Sequence, residues 1–256
     1  MDPRLSLAGL VVGIFVGLSG VGGSAIMAPM LILVLGVKPT LVIGTDLLYS
    51  VPTKVLALFL HQRQGTIDWR ITRMLLAGGA PGAIAGLVLF AVLKARLPIE
   101  ALEATLKHSI GIAILFASAG SLVLIFRRKV PQDDSTASPL DKPLIIVAIG
   151  ALVGVLVSLT SVGSGSITLP LLVFALPATV MRRLIGSEIA FAAFLVPLAA
   201  IGQSSFGNVS WGMAGSLLVG SLPGVWIGAK LCKIVGDAWL RPTIVVVLAI
   251  AGSRLL

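Results

Sequence analysis

Eight long apolar runs dominate the sequence and leave little room for polar structure between them. Only 11% of the 256 residues are charged and 57% are hydrophobic, whereas a soluble domain carries about 25% charged residues. Runs near 20 residues match the length that an α-helix needs to cross about 30 Å of hydrocarbon. The sequence therefore predicts an all-α integral membrane protein. The runs cover residues 5–35, 41–60, 71–93, 99–126, 144–176, 184–202, 212–229 and 239–252.

The second half of the chain repeats the first in one clear register. An offset of 141 residues, which becomes 142 after one inserted residue, aligns glycines, prolines and tryptophans of the two halves. Internal repeats of this kind are typical of transporter folds, in which the binding site lies between the repeats. The aligned pairs include Val21 with Val162, Gly22 with Gly163, Pro29 with Pro170, Gly44 with Gly186, Gly65 with Gly207, Trp69 with Trp211 and Pro81 with Pro223.

The repeat divides the chain into three parts. Residues 1–126 form the first membrane repeat, residues 127–143 a linker, and residues 144–256 the second membrane repeat. The linker sequence, RRKVPQDDSTASPLDKP, is polar and contains proline, which is typical of an extramembrane loop.

Each half begins with a break that is rich in glycine and hydroxyl residues and lies inside an apolar run. The first break is GLSGVGGSAIMAP, residues 17–29, and the second is LTSVGSGSITLP, residues 159–170. The arms on either side of the first break span residues 5–18 and 25–36, about 20 Å each at 1.5 Å per residue, which is too short to cross the membrane alone. We therefore predict a hairpin in each half. Its turn should be buried, because irregular backbone is tolerated at membrane depth only inside protein or beside a water-filled cavity.

The distribution of Lys and Arg between the two sides of the membrane distinguishes two possible topologies. If residues 5–36 crossed the membrane once, the repeats would be parallel and the 19 Lys and Arg residues would divide almost evenly between the two sides. If the break instead folds into a hairpin, one side collects twelve of these residues and the other six, which is the bias expected of cytoplasmic loops. We therefore predict two inverted repeats, each with a broken-helix hairpin plus three spanning helices, with the N-terminus outside and the linker in the cytoplasm.

The two breaks are candidate anion-binding segments. Glycine lets the backbone approach a ligand closely, and the following helix begins with free N–H groups and the positive end of its dipole. Ser24 and Ser166 are candidate N-caps that can also donate their hydroxyls. Alternatively, the glycines only allow helices to cross closely. The candidate substrate-binding residues are Ser19, Gly22, Gly23, Ser24, Ser161, Gly163, Ser164, Gly165, Ser166 and Thr168.

Two acidic residues, Asp46 and Glu188, occupy matching positions in apolar runs of the two halves. Ionisable residues within a membrane are costly and indicate function, although both residues could instead lie near the headgroups at helix ends. Asp46 shares its run with Lys54, so we predict that it forms a structural ion pair with that lysine. Glu188 has no evident partner in its own run and is the better candidate for a proton carrier. The candidate ion-coupling residues are Asp46, Glu188, Thr45, Ser187 and Lys54.

Several classes of function have no support in the sequence. There is no Walker A motif, no G-x-S-x-G and no H-E-x-x-H, and the lone Cys232 allows no internal disulfide. We predict no enzyme activity, no cofactor, no metal site and no nucleic-acid partner. The expected partners are the lipid bilayer and a small anionic substrate, and the oligomeric state stays open. The net charge of +9 fits either loop topology or an anionic substrate.

Together, these motifs resemble the sulfite exporter TauE/SafE family. The resemblance covers nearly the whole chain, although Ser210 stands where Asp68 supplies an acid in the first half. It implies a multi-pass carrier of the bacterial plasma membrane for sulfite, sulfoacetate or related sulfur anions and organic acids. The segments that carry it are GLSGVGGSAIMAPML, VIGTDLLYSVPTK and GTIDWR…GGAPGAIAG in the first half, and GSGSITLPLL, GSEIA and GNVSW…GSLPGVWIG in the second.

The favoured hypothesis is therefore a secondary transporter, an exporter of such anions, that works by alternating access about the two broken helices and is coupled to protons. The alternatives are a carrier of another organic acid or a metal ion, and a membrane enzyme or assembly factor that transports nothing.

Overall fold

The computed structural model describes residues 3–19, 24–126, 143–177, 179–231 and 237–256, and these residues fold into helices joined by short turns. Within these described ranges, the first half contributes five helices and the second half five more. They are α1 Pro3–Ser19, α2 Ser24–Leu33, α3 Pro39–Arg63, α4 Trp69–Arg96, α5 Ile99–Phe126, α6 Pro143–Thr160, α7 Thr168–Ala175, α8 Met181–Ser205, α9 Trp211–Leu231 and α10 Asp237–Leu255.

The predicted class is confirmed, because the described residues are helical wherever they are regular. Five of the described helices, α3, α4, α5, α6 and α8, are long and apolar enough to cross a membrane. Each half also starts with a broken helix, as the sequence predicts. The hairpin arms differ from the prediction in being unequal. The first arms, α1 and α6, have 17 and 18 residues, whereas the return arms, α2 and α7, have only 10 and 8.

The helices pack mainly across the two halves rather than within them. The most extensive helix pairs are α1 with α9, α4 with α6, α5 with α10, and α3 with α8. In the repeat, α1 corresponds to α6 and α4 corresponds to α9. Exchanging the two halves therefore turns the α1–α9 pair into the α4–α6 pair, and it maps the α5–α10 and α3–α8 pairs onto themselves. The fold is thus a two-fold arrangement in which each hairpin packs on the fourth helix of the other half.

Glycines allow the α1–α9 and α4–α6 pairs to approach backbone to backbone. Without a side chain at these positions, each helix rests on carbonyl groups of its partner, and a Cβ atom would collide with them. Close packing through small residues is the usual means by which helices associate in membranes. The motifs GGAPG and GSLPG are therefore close helix crossings. The glycines concerned are Gly9, Gly13, Gly220 and Gly224 in one pair, and Gly78, Gly82, Gly150 and Gly154 in the other.

The direction of each helix follows from its contacts. Thr45, near the start of α3, contacts Ser210, just beyond the end of α8, while Ser187, near the start of α8, contacts Asp68, just beyond α3. Helices α3 and α8 are therefore antiparallel. Successive contacts of Gly9 and Gly13 with later residues of α9 make α1 and α9 parallel. Since α9 starts where α8 ends, α1 and α3 begin at the same end of the bundle.

Residues 127–142 of the predicted linker lie outside the described residues, so the predicted division into two repeats and a linker stays a prediction.

Candidate functional site at the helix breaks

In the second helix break, residues 161–167 lie between α6 and α7 and are held by the hydroxyls of the two threonines that flank them. The Thr160 hydroxyl accepts a hydrogen bond from the Val162 N–H at 3.2 Å, and the Thr168 hydroxyl donates to the Gly163 carbonyl at 3.0 Å. Gly163 has φ of +125° and Ser161 has φ of +59°. The left-handed region costs a non-glycine residue about 1–2 kcal/mol. Ser161 is thus held by its surroundings in a conformation that it would not adopt alone.

Three serines of this break are buried: Ser161, Ser164 and Ser166. The hydroxyl of Ser161 has no hydrogen-bond partner. A buried hydroxyl without a partner loses its hydration and gains nothing in return. No hydrogen bond among the described residues therefore offsets the burial of this hydroxyl.

The first helix break is described only at its edges. Ser24 begins α2, whereas Gly22, Gly23 and the side chain of Ser19 lie outside the described residues. The predicted roles of these three residues stay predictions.

Asp46 lies where the two breaks meet. Its side chain is fully buried, with 0% exposure, and the hydroxyls of Ser24 and Ser161 face its carboxyl group. Neither serine satisfies it, because both carboxyl oxygens of Asp46 lack a hydrogen-bond partner. One carboxyl group from α3 is thus approached by hydroxyls from the first break and from the second. Equivalent positions of the two halves are 141–142 residues apart in sequence. The two hydroxyls therefore come together only in the folded protein.

The predicted ion pair between Asp46 and Lys54 is wrong. The Lys54 ammonium instead lies 3.5 Å from Oε1 of Glu188, and the two side chains are only 16% and 6% exposed. Glu188, which the sequence favoured as a free proton carrier, therefore has a cationic partner. That partner comes from α3 of the other half, so a search within the Glu188 run could not find it. Of the two acidic residues, Asp46 is the one whose oxygens lack a charged partner among the described residues.

Thr45 and Ser187 contact the opposite half of the protein. The Thr45 hydroxyl accepts from the Ser210 N–H at 3.1 Å, and the Ser187 hydroxyl accepts from the Asp68 N–H at 3.0 Å. The two bonds are equivalent under the repeat. They join the start of each third helix to the turn of the other half, and the proposed role of both hydroxyls in ion coupling stays a prediction.

The structure also contains two sets of polar contacts that were not predicted from the sequence. His61, at the end of α3, contacts Thr66 in the following turn at 2.8 Å. In the same way, the Asn208 amide in the turn after α8 donates to Gln203, at the end of α8, at 2.8 Å. The repeat offset of 142 relates these pairs and could have revealed them. The carboxylate of Glu103 in α5 accepts from the Thr40 N–H at 3.0 Å and from its hydroxyl at 2.6 Å. No pattern in the sequence indicates that cap.

Comparison with known proteins finds a family model and several relatives that match the chain. The family model described as sulfite exporter TauE/SafE matches residues 5–255. The probable membrane transporter protein YjnA of Bacillus subtilis is 33% identical over 100% of both chains. A second protein of that organism, the probable membrane transporter protein YdhB, is 28% identical over 96% of both chains. The probable membrane transporter protein MJ0441 of Methanocaldococcus jannaschii is 26% identical over 78% of this chain and 70% of its own.

No solved structure was found to match the chain. The family match spans almost every residue, and relatives that align along their whole length are named as membrane transporters. The apolar helices described above fit a multi-pass membrane protein of that kind. The chain therefore belongs to the sulfite exporter TauE/SafE family of membrane transporters.

Proposed function

We propose that the protein is a secondary transporter of sulfite or a related small sulfur-containing anion, coupled to protons at Asp46. The family description names sulfite, whereas the relatives are named only as probable membrane transporters. The observation that carries the proposal is the convergence of Ser24 and Ser161, one from each helix break, on the unpartnered carboxyl group of Asp46.

The breaks supply the donors that a small oxyanion needs. Ser24 lies at the N-terminus of α2, where backbone N–H groups are free and the helix dipole is positive. The hydroxyl of Ser161 is buried without a partner. Donors from two separate breaks can surround an anion from two sides. The resulting site lies between the repeats, as is typical of transporters with internal repeats.

Asp46 makes this site sensitive to protons. An unpaired carboxylate in a dry interior is strongly disfavoured, and its negative charge would repel an anion bound at the same place. When it is protonated, the group is neutral and can donate a hydrogen bond to the anion. Anion binding and proton binding at Asp46 therefore favour each other. The proton and the anion then cross the membrane together.

Alternating access requires the site to face each side in turn. We propose that the two repeats are inverted in the membrane, with α3 and α8 as equivalent helices that run in opposite directions. The antiparallel contacts of these helices support this. The excess of basic residues at the linker end supports a cytoplasmic linker. The direction of net transport then follows from the gradients, and export is the direction that the family description names.

Flux into proteoliposomes tests the proposal. The purified protein is reconstituted and offered radiolabelled sulfite, thiosulfate, sulfoacetate and lactate, with and without a pH gradient. We expect at least one sulfur anion to accumulate, and to accumulate more when the gradient drives protons in the same direction. If none of these anions moves, the anion-carrier proposal is wrong. Uptake of lactate alone would indicate an organic-acid carrier.

Asp46→Asn tests the proposed coupling residue. The amide is uncharged and close in shape, so we expect the variant to bind the anion while its flux no longer depends on the pH gradient. The matched control is Glu100→Gln, which removes an exposed carboxylate at the start of α5 and should leave both flux and its pH dependence unchanged. Flux through Asp46→Asn that still follows the gradient would exclude this residue as the proton site.

A further inference from the structure

The two acidic residues that match in the repeat have different surroundings. Glu188 lies 3.5 Å from the Lys54 ammonium, whereas both oxygens of Asp46 lack a partner. Under the offset of 142, the position equivalent to Lys54 is Val196 in α8, and this valine is buried. The chain has therefore placed a cation beside one carboxylate and an apolar residue at the matching position of the other half.

The Lys54 ammonium offsets the negative charge of Glu188 but does not hold its carboxylate in a firm hydrogen bond. A charge-assisted hydrogen bond is typically 2.7–2.9 Å long, and the 3.5 Å separation exceeds this. Oε1 of Glu188 has no hydrogen-bond partner. A buried ion pair is strongly stabilising only when good geometry and further hydrogen bonds offset the loss of hydration. The main effect of Lys54 here is therefore to supply a positive charge to Glu188.

Lys54 supplies a positive charge to Glu188, whereas the described groups that face Asp46 are uncharged hydroxyls. The described groups that face Asp46 are the hydroxyls of Ser24 and Ser161, together with the phenol of Tyr49 on its own helix. The charged group that faces Glu188 is Lys54. Each carboxyl group in a dry interior must be neutralised. Glu188 is neutralised by a covalently tethered cation. No such cation faces Asp46 among the described residues, so Asp46 must be neutralised by a mobile one.

We propose that Lys54 is a built-in counter-ion that fills the cation position of the second half, so that each transport cycle carries one proton, at Asp46, instead of two. This inference rests on the proposed proton coupling and adds its stoichiometry. Lys54 acts through Glu188 and is a positioning residue. Without the lysine, Glu188 would be an uncompensated buried carboxylate, and it would take up a proton of its own.

Infrared spectroscopy of the purified protein tests this without any transport. The carbonyl stretch of a protonated, buried carboxylic acid is followed across a pH titration. We expect one such signal in the native protein, lost in Asp46→Asn and retained in Glu188→Gln. Lys54→Met should gain a second signal, and Lys54→Met combined with Glu188→Gln should return to one. Lys54→Arg, which keeps the charge, should show one signal.

Two results would overturn the proposal. One is a native signal that disappears in Glu188→Gln, because Glu188 would then carry a proton despite Lys54. The other is a folded Lys54→Met protein with no second signal. The comparison of Asp46→Asn with Glu188→Gln decides the question even if Lys54→Met does not fold. Gel filtration in detergent establishes that each variant is folded before its spectrum is compared.

The proton-to-anion ratio in proteoliposomes gives a second readout. It is obtained from the anion concentration gradient that a fixed pH gradient sustains at zero membrane potential. We expect one proton per anion in the native protein and a higher ratio in Lys54→Met. An unchanged ratio in an active Lys54→Met variant would overturn the proposal. If no tested anion moves, the anion-carrier proposal fails, whereas the infrared result still decides the role of Lys54.

Discussion

Gly44 of α3 packs directly against the backbone carbonyl of Asn208, and a Cβ atom at residue 44 would overlap that carbonyl. The same contact recurs between Gly186 of α8 and the carbonyl of Thr66. Together with the hydrogen bonds of Thr45 and Ser187, these contacts form two equivalent joints between the halves. One joint fixes the start of α3 to the turn that follows α8, and the other fixes the start of α8 to the turn that follows α3.

Gly44→Ala should destabilise the protein, because a side chain at this position must displace backbone rather than another flexible side chain. Overpacking of this kind costs about 1–3 kcal/mol. The measurement is the thermal unfolding temperature in detergent. Gly215→Ala is the matched control, since no atom beyond the adjoining part of its own helix lies within 4 Å of the Cβ position there, and it should be neutral or slightly stabilising. An equal fall in unfolding temperature in both variants would mean that the contact of Gly44 with Asn208 does not stabilise the protein.

Ser187→Ala should weaken the second joint. It removes the acceptor of the Asp68 N–H and leaves that partly buried group without this partner, which costs about 1–3 kcal/mol. Thr45→Val should have a similar effect at the first joint. Thermal unfolding measures both. Ser253→Ala is the control, because that exposed hydroxyl bonds only a carbonyl of its own helix. A change no larger than that of the control would show that the joint adds no stability.

Substitutions at Ser161 can separate backbone strain from hydroxyl chemistry. Ser161→Gly tolerates the positive φ and should gain about 1 kcal/mol of stability, whereas Ser161→Ala keeps the strain. Both remove the hydroxyl that faces Asp46, so both should lower the affinity for the transported anion, measured as half-saturation of flux. Native affinity in Ser161→Gly would exclude the hydroxyl from the site.

Glu103→Gln should loosen the start of α3. The carboxylate accepts from both the N–H and the hydroxyl of Thr40, and hydrogen bonds to a charged group contribute about 1.5–3 kcal/mol. We expect a lower unfolding temperature than in Glu100→Gln, which lies one helical turn before Glu103 in α5. Equal unfolding temperatures in the two variants would mean that this cap does not stabilise α3.

A reporter fused after Asp134, in the predicted linker, should lie in the cytoplasm. In the predicted inverted topology, twelve of the Lys and Arg residues share the side of the linker, and such residues collect in cytoplasmic loops. Alkaline phosphatase and green fluorescent protein fusions report the two sides in opposite ways. Alkaline phosphatase activity at this position would contradict the inverted orientation.

The helix positions could be predicted from the sequence because they depend on local composition. The apolar run 99–126 coincides with α5, and 41–60 lies within Pro39–Arg63. The helix breaks were also predictable, since glycine and serine interrupt apolar runs at matching positions of both halves. These features follow from the polarity of neighbouring residues, which the sequence states directly.

The ion pair of Lys54 with Glu188 could not be predicted in this way. The lysine lies closer in sequence to Asp46, on the same helix, and only the antiparallel packing of α3 on α8 brings it to Glu188. The positive φ of Ser161 was equally hidden, because Gly163 and Gly165 follow it and a glycine would ordinarily be expected to adopt that conformation. Both features depend on contacts between distant segments, and both lie at the candidate site.

The packing of α1 on α9 and of α4 on α6 has a consequence for how the chain could be divided. Each half presents to the other a glycine surface that has no partner within its own half. A polypeptide cut between residues 127 and 142 should therefore behave as two complementary subunits that assemble when they are made together. Either fragment made alone would lack the helix against which its hairpin packs. The contacts between the two halves of this chain would then serve as the interface between two subunits.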